Sequence, residues 1–132
     1  MNAPSKDISG LLAADSTLGL TFAVNLFTAK EPATSASNVV TVFDGVSRSP
    51  MLTMTKGENY YYDAVQIRVR NTSQPSGYAL AFKIMESLHG RGQTTVNGSL
   101  YTVIYCSSGP ALLGWDDNGR VIYVMNFEIQ RR

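Results

Sequence analysis

Between residues 60 and 70 the chain alternates, with Val65, Ile67 and Val69 in every second position and Gln66, Arg68 and Arg70 between them. A period of two marks a β-strand covered on one face only. Val65, Ile67 and Val69 must therefore lie on a core, while the other three face something wet, charged or both. The pattern returns near the end of the chain, where Tyr123, Met125, Phe127 and Ile129 alternate with Val124, Asn126, Glu128 and Gln130.

The remaining segments supply what can cover such strands. A short opening helix is expected, with Ser5 as its N-cap, Asp7 in its first turn, and Ile8, Leu11 and Leu12 on one face before Gly19. Residues 25–30 and 38–43 read as two neighbouring strands separated by turn and breaker residues at 31–37. From 73 to 76 a helix start is signalled, and Tyr78, Ala81, Phe82, Met85 and Leu88 draw one apolar stripe at helical spacing that His89 and Gly90 stop. Asn97 and Gly98 between β-rich runs mark a tight hairpin, because both positions of that turn need positive φ. Asp116 to Gly119 forms a second turn. The expectation is one α+β domain over residues 1–132, in the order α-β-β-β-α-β-β-β, with two helices on one face of a largely antiparallel or mixed sheet. A loop at about 45–59, broken by Gly45, Pro50 and Gly57 yet carrying Met51, Leu52 and Met54, exceeds an ordinary connection and points to a role of its own.

Charge and chemistry narrow the function classes. Eleven Lys plus Arg against ten Asp plus Glu leave a net charge of +1, so any electrostatic role is local. A single cysteine, Cys106, excludes an internal disulfide and a cysteine zinc cluster, and its setting reads as strand. No apolar run approaches the roughly 18 residues of a membrane span, and a soluble protein of a reducing compartment is expected. Catalysis by a Ser-His or Cys-His pair would need the one histidine, His89, whose place at a helix end suits an imidazolium bonded to the last carbonyls. Asp116, Asp117 and Asn118 lack calcium-loop spacing, and Gly90 and Gly92 follow a helix instead of opening one, so no phosphate cradle is formed. No metal or cofactor is expected. Arg48, Lys56, Arg68, Arg70, Arg131 and Arg132 are the candidates for contact with a polyanion, and a solvated face is their plainer reading.

Several phrases in order resemble the tail terminator, or tail-completion, proteins of long-tailed bacteriophages. They are Asn25, Leu26 and Phe27; Val65 to Arg70; Tyr78 and Ala79 through Leu88, His89 and Gly90; Val96, Asn97, Gly98 and Tyr101; Leu113, Gly114, Asp116, Gly119 and Arg120; and Asn126 to Ile129 with the closing arginines. The resemblance implies a non-enzymatic virion protein, assembled in the host bacterial cytoplasm as a hexameric ring on the head-proximal end of the tail tube. Its partners would be further copies of itself, the major tail tube protein and the head connector, with double-stranded DNA passing through the ring and no membrane. Arg48, Met51, Leu52, Met54 and Lys56 then become candidates for contact with a neighbouring ring or subunit. Gln66, Arg68 and Arg70 become candidates for a ring interface or, more weakly, for a channel wall. The competing classes are a small α+β module that binds nucleic acid or a ligand outside any virion, and a small enzyme built around His89 or Cys106.

Overall fold

The computed structural model describes residues 1–32, 37–52, 54 and 59–132, and of Leu52 the backbone alone. The elements run α1 (Pro4–Ala14), β1 (Leu26–Thr28), β2 (Val39–Asp44), β3 (Met51–Leu52), β4 (Asn59–Asn71), α2 (Gln74–Leu88), β5 (Arg91–Val96), β6 (Ser99–Trp115) and β7 (Val121–Arg131). This is the expected α+β order, with the two-residue β3 added inside the anticipated loop. The strands lie side by side in the order β1-β2-β4-β7-β6-β5, and β3 pairs with β4 off this path. All neighbours are antiparallel except β1 and β2, which are parallel, so the sheet is mixed.

Register explains why both helices share one face. Val40 pairs with Val69 and Val69 with Tyr123, Val42 with Ile67 and Ile67 with Met125, and Val65 with Phe127. These cross-strand rows point one way, and Ile8 and Leu12 of α1 and Ala81, Ile84 and Leu88 of α2 complete the same buried cluster. The alternation in β4 and β7 thus sorts one sheet into a covered face and a face without helices.

Three local expectations are corrected. Ser5 lies inside α1, whose N-cap is Ala3 without a side-chain bond. The cap comes from across the sheet, since Asp44 accepts the Ser5 amide at 2.9 Å and its hydroxyl at 2.8 Å. The buried stripe of α2 is Gly77, Ala81, Ile84 and Leu88, whereas Tyr78 and Phe82 are exposed. Gly77 sets that rotation, for a Cβ there would stand 3.2 Å from the Asn71 Cβ and 3.3 Å from Val121 Cγ1, so helix and sheet meet at the residue with no side chain. The His89 backbone amide donates to the Met85 carbonyl at 2.8 Å, but its imidazole turns to the sheet, where Nδ1 accepts the Cys106 amide at 2.9 Å. That geometry needs the Nδ1 lone pair and serves a strand amide just beyond the last β5 pair, Arg91 with Ile104. At the hairpin Asn97 and Gly98 adopt φ of 50° and 84°, as the turn requires.

Candidate functional site

The anticipated loop at 45–59 is an arm on β4. Gly45 donates to the Ala64 carbonyl at 2.7 Å and Arg48 to that of Tyr62 at 2.9 Å, after which Met51 pairs with Tyr60. β4 outlasts its other neighbour, β7, whose last partner on it is Tyr61. Residues 51–52 and 59–60 therefore pair as a two-stranded ribbon past the last contact of β4 with β7. Arg48 lies over the Tyr62 ring at 4.9 Å, and Ser47 donates to Asp63 at 2.7 Å, which fastens the base of the arm. Val46, Met51 and Met54 are exposed along it. Lys56 and the side chain of Leu52 lie outside the described residues. Beside the base a cleft of about 170 Å³ opens on the helix-free face between Arg48, Tyr62, Val103, Tyr105, Glu128 and Gln130. It is smaller than the roughly 300 Å³ at which ligand pockets begin. A hydrogen bond to Glu128 raises the Tyr105 phenol above its ordinary range.

Gln66, Arg68 and Arg70 share the helix-free face but have different surroundings. Gln66 donates at 3.3 Å to Asn126, its direct cross-strand partner on β7, and both remain partly exposed. Arg68 reaches Glu31 at 3.5 Å and lies over the Phe43 ring at 5.6 Å. Arg70 is only 4% exposed, bonds the Ser37 carbonyl at 3.3 Å and sits 4.0 Å from Glu31. Burial, and then the positive charge of Arg120, lower its pKa. Among the described residues both arginines meet the carboxylate of Glu31, on the connection between the parallel strands β1 and β2. A parallel pair cannot be joined by a tight turn, and Glu31 lies on that longer connection.

The sequence reading missed a polar network at the α1 end of the core. Asp7, fully buried, accepts from Asn97 at 2.8 Å and from the Tyr101 hydroxyl at 2.5 Å, and lies 3.6 Å from Arg131. Arg131 also donates to Asp63 at 2.6 Å and to the Asn2 carbonyl at 2.8 Å, joining the two ends of the chain. The available signal was Ser5, Ile8, Ser9 and Leu12 at helical spacing, a stripe of small and apolar residues that lets α1 approach the sheet closely. Cys106 is partly buried on β6, and burial raises its thiol pKa, the opposite of an activated nucleophile. Among the described residues no group of three His, Cys, Asp or Glu side chains is placed to hold a metal ion, and no helix is long and apolar enough to cross a membrane.

A solved chain from the virion of a native gene transfer agent (GTA) particle shares the fold with a TM-score of 0.71 at 14% identity, covering 98% of this chain and 94% of that one. A second solved chain gives a TM-score of 0.52 at 13% identity, covering 97% and 91%. One curated protein, ABC transporter C family member 13 of Dictyostelium discoideum, is 38% identical over 74 residues. That stretch is 51% of this chain and 5% of the transporter's length, a local likeness only. Residues 7–132 match the family described as bacteriophage tail terminator protein. The chain belongs to that family of structural proteins of the phage virion.

Proposed function

We propose that copies of this chain form a hexameric ring on the head-proximal end of the tail tube, stop its polymerisation, and present the surface that joins the head connector while DNA passes through. The family match over residues 7–132 carries this reading. The arm supports it, because a ribbon with exposed Met51 and Met54 is an adaptable apolar contact held away from the body. Tails assembled without this protein should grow past their normal length and fail to join heads, and adding it back should restore both. Tails of normal length that join heads in its absence would refute the reading.

Within it, Arg48, Met51, Leu52, Met54 and Lys56 form the segment that reaches a neighbouring ring or subunit. Changing Met51, Leu52 and Met54 together to Ser should yield overlong or headless tails; normal ones would remove the arm from the mechanism. Gln66 and Arg68 carry the exposed part of the second candidate surface, with Arg70 beneath them on Glu31. A channel that lets DNA slide should not grip phosphates, since each neutralised phosphate adds affinity and salt dependence. The net charge of +1 fits that requirement and favours a subunit contact for this row. Arg68→Glu should then reduce ring assembly, whereas intact rings with slowed DNA ejection would assign the row to the channel.

A further inference from the structure

The two lateral ends of the sheet carry unlike apolar features at the same height. At the β1 end, residues 21–25 fold into a braced knob. The Thr21 carbonyl accepts three amides, from Val24, Asn25 and Leu26, at 3.1–3.2 Å, and Asn25 Oδ1 accepts the Thr21 amide at 2.7 Å. Ala23 is held at φ 62°, a conformation costly for a residue with a Cβ. The bracing fixes Phe22 and Val24 outward, 50% and 62% exposed. Strain and rigidity of this kind in a solvent-facing apolar turn fit preorganisation for a partner better than a passive connection.

At the opposite end, β5 pairs with β6 only as far as Ile104, so the rest of β6 has β7 as its strand neighbour on one side alone. Its helix-side residues there are Leu112, opposite Tyr123, and Trp115, opposite Val121. They are 55% and 56% exposed. Tyr78 of α2 packs on Tyr123 at 5.7 Å and stacks on Phe82 at 6.3 Å, which joins the exposed side of α2 to the exposed end of β6. At half exposure, four side chains of this size present roughly 300–400 Å² of apolar surface.

We infer that the knob of one copy, Phe22 and Val24, seats against the face formed by Tyr78, Phe82, Leu112 and Trp115 of the next copy; the inference rests on the ring reading above. The occupant follows from register. Phe22 bridges Leu26, and Leu26 pairs with Val40, Val40 with Val69, Val69 with Tyr123, and Tyr123 with Leu112. Knob and face therefore end the same cross-strand row, and a contact between them needs no shift along the strand axis. Head-to-tail contacts with no axial rise close into a ring instead of winding into a filament. The area falls short of the roughly 800 Å² per partner of a stable free complex, so the contact forms on the tube tip and not in dilute solution.

The test is cross-linking on assembled tails. In a Cys106→Ser background, Val24→Cys with Trp115→Cys and a short bismaleimide should give a ladder of covalent multimers ending at one closed species, and either substitution alone should give none. Tails of normal length that carry a visible ring but yield no ladder would overturn the inference and leave the ring reading intact. Dimers from Trp115→Cys alone would overturn it in favour of a two-fold contact. Normal tails lacking any ring at the tip would refute the ring reading itself. As a second measurement, Phe22→Asp and Leu112→Asp should each remove ring density from the tips while the free protein keeps its melting temperature; rings retained in both variants would also overturn the contact.

Discussion

Asp7→Ala tests whether α1 is anchored by the buried network. Three groups converge on this carboxylate, and they lose unequally when it goes. Asn97 is exposed and turns to water at little cost. The Tyr101 side chain is fully buried, and its hydroxyl loses the acceptor for its proton, a penalty of about 1–3 kcal/mol. Arg131 keeps Asp63 at 2.6 Å and the Asn2 carbonyl, so it is not left as an uncompensated charge. The loss for breaking a buried pair outright, about 3–5 kcal/mol, is therefore an upper bound, and about 2–4 kcal/mol is expected. Against a total stability of about 5–15 kcal/mol this is a large fraction. Urea unfolding with an unchanged slope measures it. Tyr101→Phe alone should cost about 1–1.5 kcal/mol. In the double variant the orphaned hydroxyl is gone, so the combined loss should fall short of the sum by about 1 kcal/mol or more. A loss below about 0.5 kcal/mol for Asp7→Ala, with strict additivity in the double variant, would show that α1 is held by Ile8 and Leu12 alone and refute the argument.

Burial first, and the bond to Asp7 next, raise the Tyr101 phenol above its ordinary 10.0. The unfolded chain sheds that proton from about pH 10 upward while the fold retains it, so stability is complete below that pH and declines above it. Tyr101→Phe should flatten the decline in urea titrations from neutral to alkaline pH, and an unchanged slope would count against the raised pKa. Gly77→Val should lower stability by about 1–3 kcal/mol, since the added carbons meet Asn71 and Val121 where α2 touches the sheet; a silent change would mean that α2 can lift without loss. Asp44→Ala removes both bonds to Ser5 and should cost about 1–2 kcal/mol by urea midpoint, with Ser5→Ala costing less because the backbone bond survives.

The parts of the fold legible in the sequence are those in which one face of one element is buried. Val65 to Val69 and Tyr123 to Ile129 alternate because a helix layer covers one side of the sheet, and Asn97 with Gly98 needs nothing beyond its own backbone. What was not legible depends on partners far along the chain. Ser5 has the chemistry of an N-cap, yet Asp44, on the sheet 39 positions away, satisfies the helix and frees Ser5 to sit within it. The apolar stripe of α2 contained Tyr78 and Phe82 because hydrophobicity marks interface as readily as core. The arginines of β4 suggested an outside partner, whereas their nearest carboxylate belongs to Glu31, whose approach depends on the parallel pairing of β1 and β2. At the arm, composition located the exception without revealing its form, because residues 45–50 meet β4 through isolated bonds from Gly45 and Arg48 and leave no period to read.

The two ends of the strands differ, and that difference bears on how a tube could be stopped. At one end lie the arm, the Asn97 turn, the start of α1 and the close of β7; at the other lie the start of α2 and the turn from Asp116 to Arg120. The second end is stiff, because Asp116 accepts the amides of Asn118 at 3.0 Å and Arg120 at 2.9 Å and the Arg120 guanidinium at 2.6 Å. The first carries the pairing of Met51 and Leu52 with Tyr60 and Asn59, a ribbon of two strands without the third that normally makes such a structure stable alone. In a ring whose axis follows the strands, one rim would offer adaptable apolar arms and the other a short polar turn with its hydrogen bonds already spent. On the proposed ring reading, a tube subunit fitted to the first rim would find no equivalent on the second, and rejecting the next copy would need no added clash, only the absence of a second arm.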